Sequence, residues 1–370
     1  MRRRRTGWSA IGLLILVALF LVIGLIWGDQ NGPNGTPAPG STGSSSDWYQ
    51  LYFTDPHYPD NPANHHGGID THMVALMNGA TKTIDVADYD FDLADVATAM
   101  AQAEARGVRV RMVTDTDTYT SDNKYIQAAF ATLKNAKIPV VDDQREAIMH
   151  NKFTVVDGEW VSTGSWNYTD GDTYHLNNNM IVIHSSDLAA NYSNEFEKMF
   201  VQRVFGKAKD TSLPHPILNI DGTVVKNCFA PELDCTSLIV QTLNQAHTSI
   251  DFMAFSFTED SIGNTMLARS KKGVTVSGVF ETTGSQTQYS EYGKLEGAGL
   301  DVYTDGNPWS MHHKVIIVDD HIVIFGSFNF SQSANQSNDE NLLIVDNSDL
   351  AQAFTAEFKR VLAVAKNPPE

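Results

Sequence analysis

The chain has 370 residues, 42% of them hydrophobic, with 44 acidic against 26 basic side chains and a formal net charge of −18. That length suits two ordinary domains or one large pseudo-symmetric unit. The acidic excess excludes the basic footprint of a general nucleic-acid binder and repels polyanions at long range, anionic lipid headgroups included.

Arg2, Arg3, Arg4 and Arg5 precede an uncharged run at 8–27 that is rich in Leu, Ile and Val. At about 1.5 Å per residue, a helix of that length spans a hydrocarbon core of ~30 Å. The arginines would hold its N-terminus in the cytoplasm. The run exceeds the apolar region of a signal peptide, and no A-x-A-like site follows directly. The expectation is a single-pass cell-membrane anchor over 1–28 with the catalytic part extracytoplasmic, or a secreted chain if the anchor is cleaved. Gly, Ser, Pro, Asn and Thr dominate 29–47, the composition of a flexible linker. Setting the four arginines aside leaves 22 basic against 44 acidic residues, so the remainder is more acidic still.

From 48 onward, apolar runs alternate with helical periodicity. The pattern predicts a strand near 83–89 and a helix near 93–105 ended by Gly107. A strand at 108–114 and a helix near 124–135 follow. Apolar stretches on either side of Asp157-Gly158 predict a hairpin, then a strand at 180–184 and a helix near 188–205. The order recurs: Thr83-Ile84-Asp85-Val86-Ala87 matches Ser249-Ile250-Asp251-Phe252-Met253, and Gly107-Val108-Arg109-Val110 matches Gly273-Val274-Thr275-Val276. The second round ends in a strand at 342–345 and a helix near 350–365. Duplication divides the chain into lobes at 48–210 and 211–370. The predicted class is α/β, with two pseudo-symmetric lobes of mixed sheet flanked by helices and buried on both faces. Cys228 and Cys235 suit a small-loop disulfide in an exported chain. No second cysteine pair lies nearby to complete a four-ligand metal site.

Within the duplication lies a set of polar residues that carries chemistry. The first copy reads His150-Asn151-Lys152, Asp157 and Gly164-Ser165-Trp166-Asn167; the second reads His312-His313-Lys314, Asp319 and Gly326-Ser327-Phe328-Asn329. Both fit H-x-K-x4-D-x6-G-S-x-N. Two histidines facing one pocket could serve as nucleophile and general acid near neutrality. Lys152, Lys314, Asn167 and Asn329 would supply positive charge and amide donors to the equatorial oxygens of a phosphoryl group. The lysines take the electrostatic role of a metal, and no carboxylate cluster stands beside the motifs to hold Mg²⁺ or Ca²⁺. Neither metal nor cofactor is expected. Asp157 and Asp319, at hairpin turns, read as structural. Ser165 and Ser327 read as donors to phosphate or histidine, with turn stabilisation the competing role. Gly164 and Gly326 permit tight backbone at the pocket floor.

This signature resembles that of the phospholipase D superfamily, and the resemblance covers about 50–365, including the Asn338-Asp339-Glu340-Asn341 stretch. Cys228-Phe229-Ala230-Pro231 and Met311-His312-His313-Lys314 look most like its small bacterial branch. That branch mixes phospholipases with endonucleases and includes relatives of mitochondrial cardiolipin hydrolase. The resemblance implies one active site at the interface of two lobes and hydrolysis through a phosphohistidine. It also implies a carboxylate or amide downstream of each motif that orients its histidine. On that basis Glu340 is assigned to His312 and Asn178 to His150, so that His150 is the nucleophile and His312 the general acid. The leading expectation is hydrolysis of a phospholipid to phosphatidate and a free alcohol. The alternatives are an endonuclease, a phosphatidyltransferase like the cardiolipin synthases, and a binding module with a dead site. With both copies in one chain, a monomer suffices.

Strand alternation turns His313 away from His312. His65 and His66, before Gly67-Gly68, read as a solvated surface pair, or else as part of a loop near the active-site mouth. Trp309, after Asn307-Pro308, is a candidate to line the substrate entrance, while Trp166, Tyr168 and Phe328 read as packing.

Overall fold

The computed structural model describes residues 42–369. The first lobe contains strands β1 (Thr42–Ser45), β2 (Tyr49–Phe53), β3 (Thr83–Asp88), β4 (Arg109–Thr114), β5 (Val140–Asp142), β6 (Lys152–Val156), β7 (Trp160–Gly164), β8 (Leu176–Asn177) and β9 (Asn179–His184). The second contains β10 (Ile217–Ile220), β11 (Thr223–Ala230), β12 (Ser249–Ala254), β13 (Thr275–Phe280), β14 (Asp301–Thr304), β15 (Ser310–Met311), β16 (Lys314–Val318), β17 (Ile322–Gly326) and β18 (Glu340–Asp346). The sheets run β1-β2-β9-β7-β6-β3-β4-β5 and β10-β11-β18-β17-β16-β12-β13-β14, the same order twice. In each, the helix-linked strands pair in parallel and the rest are antiparallel. The class is mixed α/β with two repeated lobes.

Central strands β6 (Lys-Phe-Thr-Val-Val) and β16 (Lys-Val-Ile-Ile-Val) are buried at every residue, which explains their continuous rather than alternating pattern. Helices Ser186–Phe200 and Ser348–Lys366 lie between the sheets. Their Leu188, Tyr192, Phe196, Leu350, Phe354 and Phe358 share one core with Ile181, Ile183, Leu343 and Val345. A second core lies on the outer face of each sheet, around Ile84, Val86 and Met100 in one lobe and Ile250, Phe252 and Met266 in the other. Both central helices start on side-chain caps, Ser185 to the Leu188 N–H and Asn347 to the Leu350 N–H.

The β6–β7 hairpin turns through Asp157 (φ 56°) and Gly158 (φ 69°), and its equivalent turns through Asp319 (φ 54°) and Asp320 (φ 52°). Two successive left-handed residues suit the twist of a tight hairpin, here with three residues between the paired strand ends. The Asp157 carboxylate also accepts the backbone N–H groups of Thr81, Lys82 and Thr83 at 2.7–2.9 Å. Asp319 accepts those of His247, Thr248 and Ser249 at 2.7–3.1 Å. Each motif aspartate thus ties its hairpin to the start of the neighbouring strand. Cys228, in β11, is joined by a disulfide to Cys235.

Two expectations need correction. Among the described residues no helix is long and apolar enough to cross a membrane, which overturns the single-pass location; the run at 8–27 that prompted it lies outside the described residues. The longest described helix, Ser348–Lys366, fails on composition, because it carries Asp349, Glu357, Lys359, Arg360 and Lys366 along its length. The linker also ends earlier than its composition predicts, since Thr42–Ser45 forms β1 and pairs antiparallel with β2. An edge strand is held by backbone hydrogen bonds, which Thr-Gly-Ser-Ser supplies as well as any sequence.

Candidate active site

Each motif histidine directly precedes a central strand, separated from its opening lysine by one residue. Lys152 and Lys314 are buried, and each Nζ turns back to the carbonyl of its own histidine, at 3.1 Å from His150 O and 2.8 Å from His312 O. The Tyr89 ring packs edge-on against His150 at 5.2 Å, and Phe255 takes the equivalent place against His312 at 4.6 Å.

The residues that orient the histidines come from the opposite lobe. β8 pairs in parallel with β15, and the His312 N–H donates to Asn177 O at 3.0 Å. On the other side Met149 bridges Asp339, and the His150 N–H donates to Asp339 O at 2.9 Å. These exchanges carry Glu340 to His150, with Nδ1 2.8 Å from Oε2, and Asn178 to His312, with Nδ1 2.9 Å from Oδ1. The crossing repeats one position on, where the Asn341 amide donates to Asn151 Oδ1 at 3.2 Å and the Asn179 amide meets His313 Nδ1 at 2.9 Å. This corrects the assignment of Glu340 to His312 and Asn178 to His150. Identical spacing in the two copies identifies equivalent residues, but it does not reveal which lobe each one serves.

Ser165 donates to Asn178 Oδ1 at 2.8 Å and Ser327 to Glu340 Oε2 at 2.6 Å. Ser165, Ser327 and Asn178 are fully buried, and each is engaged with a histidine or with a histidine's partner. Gly164 and Gly326 make room for this arrangement: a Cβ would meet Asn179 O at 2.2 Å or Asn341 O at 2.3 Å. Asn167 donates through backbone and side-chain nitrogens to Asp172 at 3.1 Å. Among the described residues the Oδ1 atoms of Asn167 and Asn329 have no hydrogen-bond partner. His313 points away, its Nε2 2.9 Å from Glu357. Trp309 stacks on His175 at 4.6 Å and lines a cavity of about 280 Å³ with Tyr58, Asn177, Pro308 and Val361.

A family model described as "Cardiolipin synthase, PLD-like domain" matches residues 73–200 and again 239–362. The chain belongs to that family. The phospholipase D of Rickettsia typhi is 33% identical over 146 residues, covering 39% of this chain and 72% of its own length. The mitochondrial cardiolipin hydrolase of Homo sapiens is 34% identical over 125 residues, 34% of this chain and 50% of its own. The phosphatidylserine synthase of Haemophilus influenzae Rd KW20 superposes with a TM-score of 0.60 over 80% of this chain and 84% of its own, at 13% identity. That last likeness is one of fold. The chain is a phospholipase D-like phosphodiesterase.

In this phospholipase D-like site the electrostatics break the symmetry of the halves. Burial pushes His150 well below the ordinary imidazole range, and the charges of Lys152, Lys314 and His312 push the same way. The two motifs therefore act on one another within a single site. His312 is pushed down to about 4 by burial and Lys314, against the opposing pull of Asp172. Burial pushes Glu340 up to about 8, against Lys152 and the Ser327 hydroxyl. Asp172, whose Oδ1 lies 3.3 Å from His312 Nδ1, stays below the usual carboxylate range despite burial because of His312 and the Asn167 N–H.

Sequence reasoning missed Asp172. Its equivalent 162 positions on is Ala334, so a polar residue in one copy facing an apolar one in the other was the available signal. Asp172→Asn should lower the proton affinity of His312. Turnover of a diester with an alkoxide leaving group should fall about tenfold, the equivalent of one pKa unit, while a nitrophenyl diester, which needs no acid, changes little. Equal losses on both substrates would assign Asp172 to folding or binding.

Proposed function

We propose that the chain hydrolyses a phospholipid to phosphatidate and free alcohol through a phosphohistidine on His150. The observation that carries this reading is the crossed pairing, in which Glu340 and Asn178 each present the other lobe's histidine to one site. With the proton on Nδ1 held by Glu340, His150 keeps its Nε2 lone pair free to attack phosphorus. The positive ring of the phosphohistidine favours the ionised form of Glu340, and that carboxylate stabilises the ring in return. The P–O bond to the alcohol breaks, and His312, held by Asn178 and Asp172, gives its proton to the departing oxygen. In the second step His312 takes a proton from water as that water attacks phosphorus and the P–N bond breaks. Lys152 and Lys314 supply the charge that the phosphoryl oxygens need, and no step is routed through a metal. Burial holds both lysines below their usual range, Lys314 furthest, so a bound phosphate anion would favour their charged forms.

His150 remains the nucleophile here on different grounds from those that the sequence offered, because its partner is the carboxylate rather than the amide. Two observations favour lipid over nucleic acid: relatives named for phospholipase D and cardiolipin hydrolase activity, and the aromatic and apolar lining of the cavity beside Asn177. The test measures headgroup release from mixed liposomes and nicking of plasmid DNA, each with the native chain and with His150→Ala. The expected result is headgroup release that His150→Ala abolishes. Plasmid nicking abolished by the same substitution, with no lipid turnover, would make the chain an endonuclease. Products carrying an added alcohol in place of water would make it a transferase.

A further inference from the structure

The loop between β2 and the helix Asp70–Gly79 brings Asp60 and His65 against His175, which lies 110 positions further along the chain. His65 Nε2 is 2.8 Å from Asp60 Oδ1, and His175 Nε2 is 3.3 Å from the same oxygen. The three potential donor atoms all lie within 4.8 Å of one another. Tetrahedral bonds of about 2.1 Å place donor atoms roughly 3.4 Å apart, a spacing these atoms can reach with side-chain shifts alone.

Two further features point to a ligand. His175 Nε2 is a buried atom whose 3.3 Å approach to Asp60 Oδ1 is not a well-directed hydrogen bond, an arrangement native structures rarely leave unexplained. The second ring nitrogen of His65, Nδ1, lies 3.2 Å from the Asp170 carboxylate. That contact, with Nδ1 as the donor, leaves Nε2 to face Asp60, so that an ion between the two would meet the Nε2 lone pair, the arrangement typical of a metal-bound imidazole. Stacking fixes both ring planes, His65 on Tyr174 at 4.4 Å and His175 on Trp309 at 4.6 Å. His66 by contrast is exposed, so the surface reading of the pair holds for one member alone.

We propose that Asp60, His65 and His175 form a binding site for a divalent transition-metal ion, with Zn²⁺ the best fit. Two imidazoles and one carboxylate select a transition metal over Mg²⁺ or Ca²⁺, which prefer all-oxygen sites. The bound ion would clamp the 54–69 loop onto the segment that leads through Asn177 to Asn178, the partner of His312. It would therefore order the mouth that Tyr58 and Trp309 line, without touching the reacting phosphorus. The site stands apart from the histidine pair, so its failure would leave the phosphohistidine chemistry untouched, and the reverse also holds.

The experiment uses the full chain, stripped with chelator and titrated with Zn²⁺ by calorimetry and with Co²⁺ by visible absorption. The expected result is one equivalent bound at about micromolar or tighter affinity, with Co²⁺ d–d bands of a low-symmetry site. Both signals should vanish in His65→Ala and in His175→Gln, two variants on different segments, so that a folding defect in one does not decide the outcome. Zn²⁺ should also slow proteolysis within 54–69 in the native chain and not in His65→Ala. Chelator should have no further effect on turnover by the His65→Ala/His175→Gln double variant. Binding that survives in both single variants, or no binding up to millimolar Zn²⁺, would overturn the proposal.

Discussion

His150→Ala is expected to lower phosphodiester turnover by at least about 10⁴-fold whatever the leaving group, because it removes the atom that carries the phosphoryl group. His312→Ala should behave differently. With an alkoxide leaving group the loss should be about 10²- to 10⁴-fold, the range for removing a general acid. With a nitrophenyl diester the first step needs no proton. The variant should then release one equivalent of nitrophenol in a burst and stall, since no base remains to activate water. The pH dependence gives the same test on the native enzyme. His312 is pushed down to about 4, so in the free enzyme its acid form disappears as pH rises above that value. The ratio of alkoxide to nitrophenoxide turnover, in kcat/KM, should therefore fall about tenfold per pH unit above 4. A burst from His150→Ala, or none from His312→Ala, would reverse the roles.

The second large effect concerns Glu340. This residue lies 28 positions beyond His312, yet it is bound to His150. Glu340→Gln keeps the shape and an amide oxygen that can still accept from Nδ1, but removes the negative charge that stabilises the positive ring of the intermediate. The expected loss is about 10³- to 10⁴-fold in formation of the covalent intermediate, the scale for removing a carboxylate that orients a catalytic histidine. The leaving-group ratio, which reports on His312, should stay near the native value. Asn178→Ala should give the converse, changing the ratio although Asn178 lies in the lobe of His150. If Glu340→Gln altered the ratio and left phosphorylation intact, the crossed pairing would have no functional weight.

The crossing also marks where the sequence stopped being legible. The central strands were readable because Phe153 to Val156 is a β-branched and aromatic run, and Val315 to Val318 a continuous apolar one, each bounded by lysine and a turn. The hairpins were readable because Asp157-Gly158 has the residue types that tolerate positive φ. Edge strands β1 and β10 went unpredicted, since pairing at a sheet margin makes little demand on side-chain type. The helix predicted to 205 stops at Phe200 and the chain turns through Arg203 at φ 57°. At the site, motif spacing placed the histidines, lysines and asparagines, whose positions depend on local strand geometry. It could not place Glu340 and Asn178, because their partners are chosen by how two lobes dock. Asp172 and the Asp60–His65–His175 cluster were invisible for the same reason, their neighbours being distant in sequence and their chemistry set only by proximity.

The most direct test is a rapid-quench experiment with a diester labelled at phosphorus, followed by peptide mapping under conditions that preserve phosphohistidine. Label is expected on the peptide containing His150, accumulating in His312→Ala with a nitrophenyl substrate and absent in His150→Ala. Label on the peptide containing His312, or steady native turnover with no labelled histidine at any time, would contradict His150 as the nucleophile.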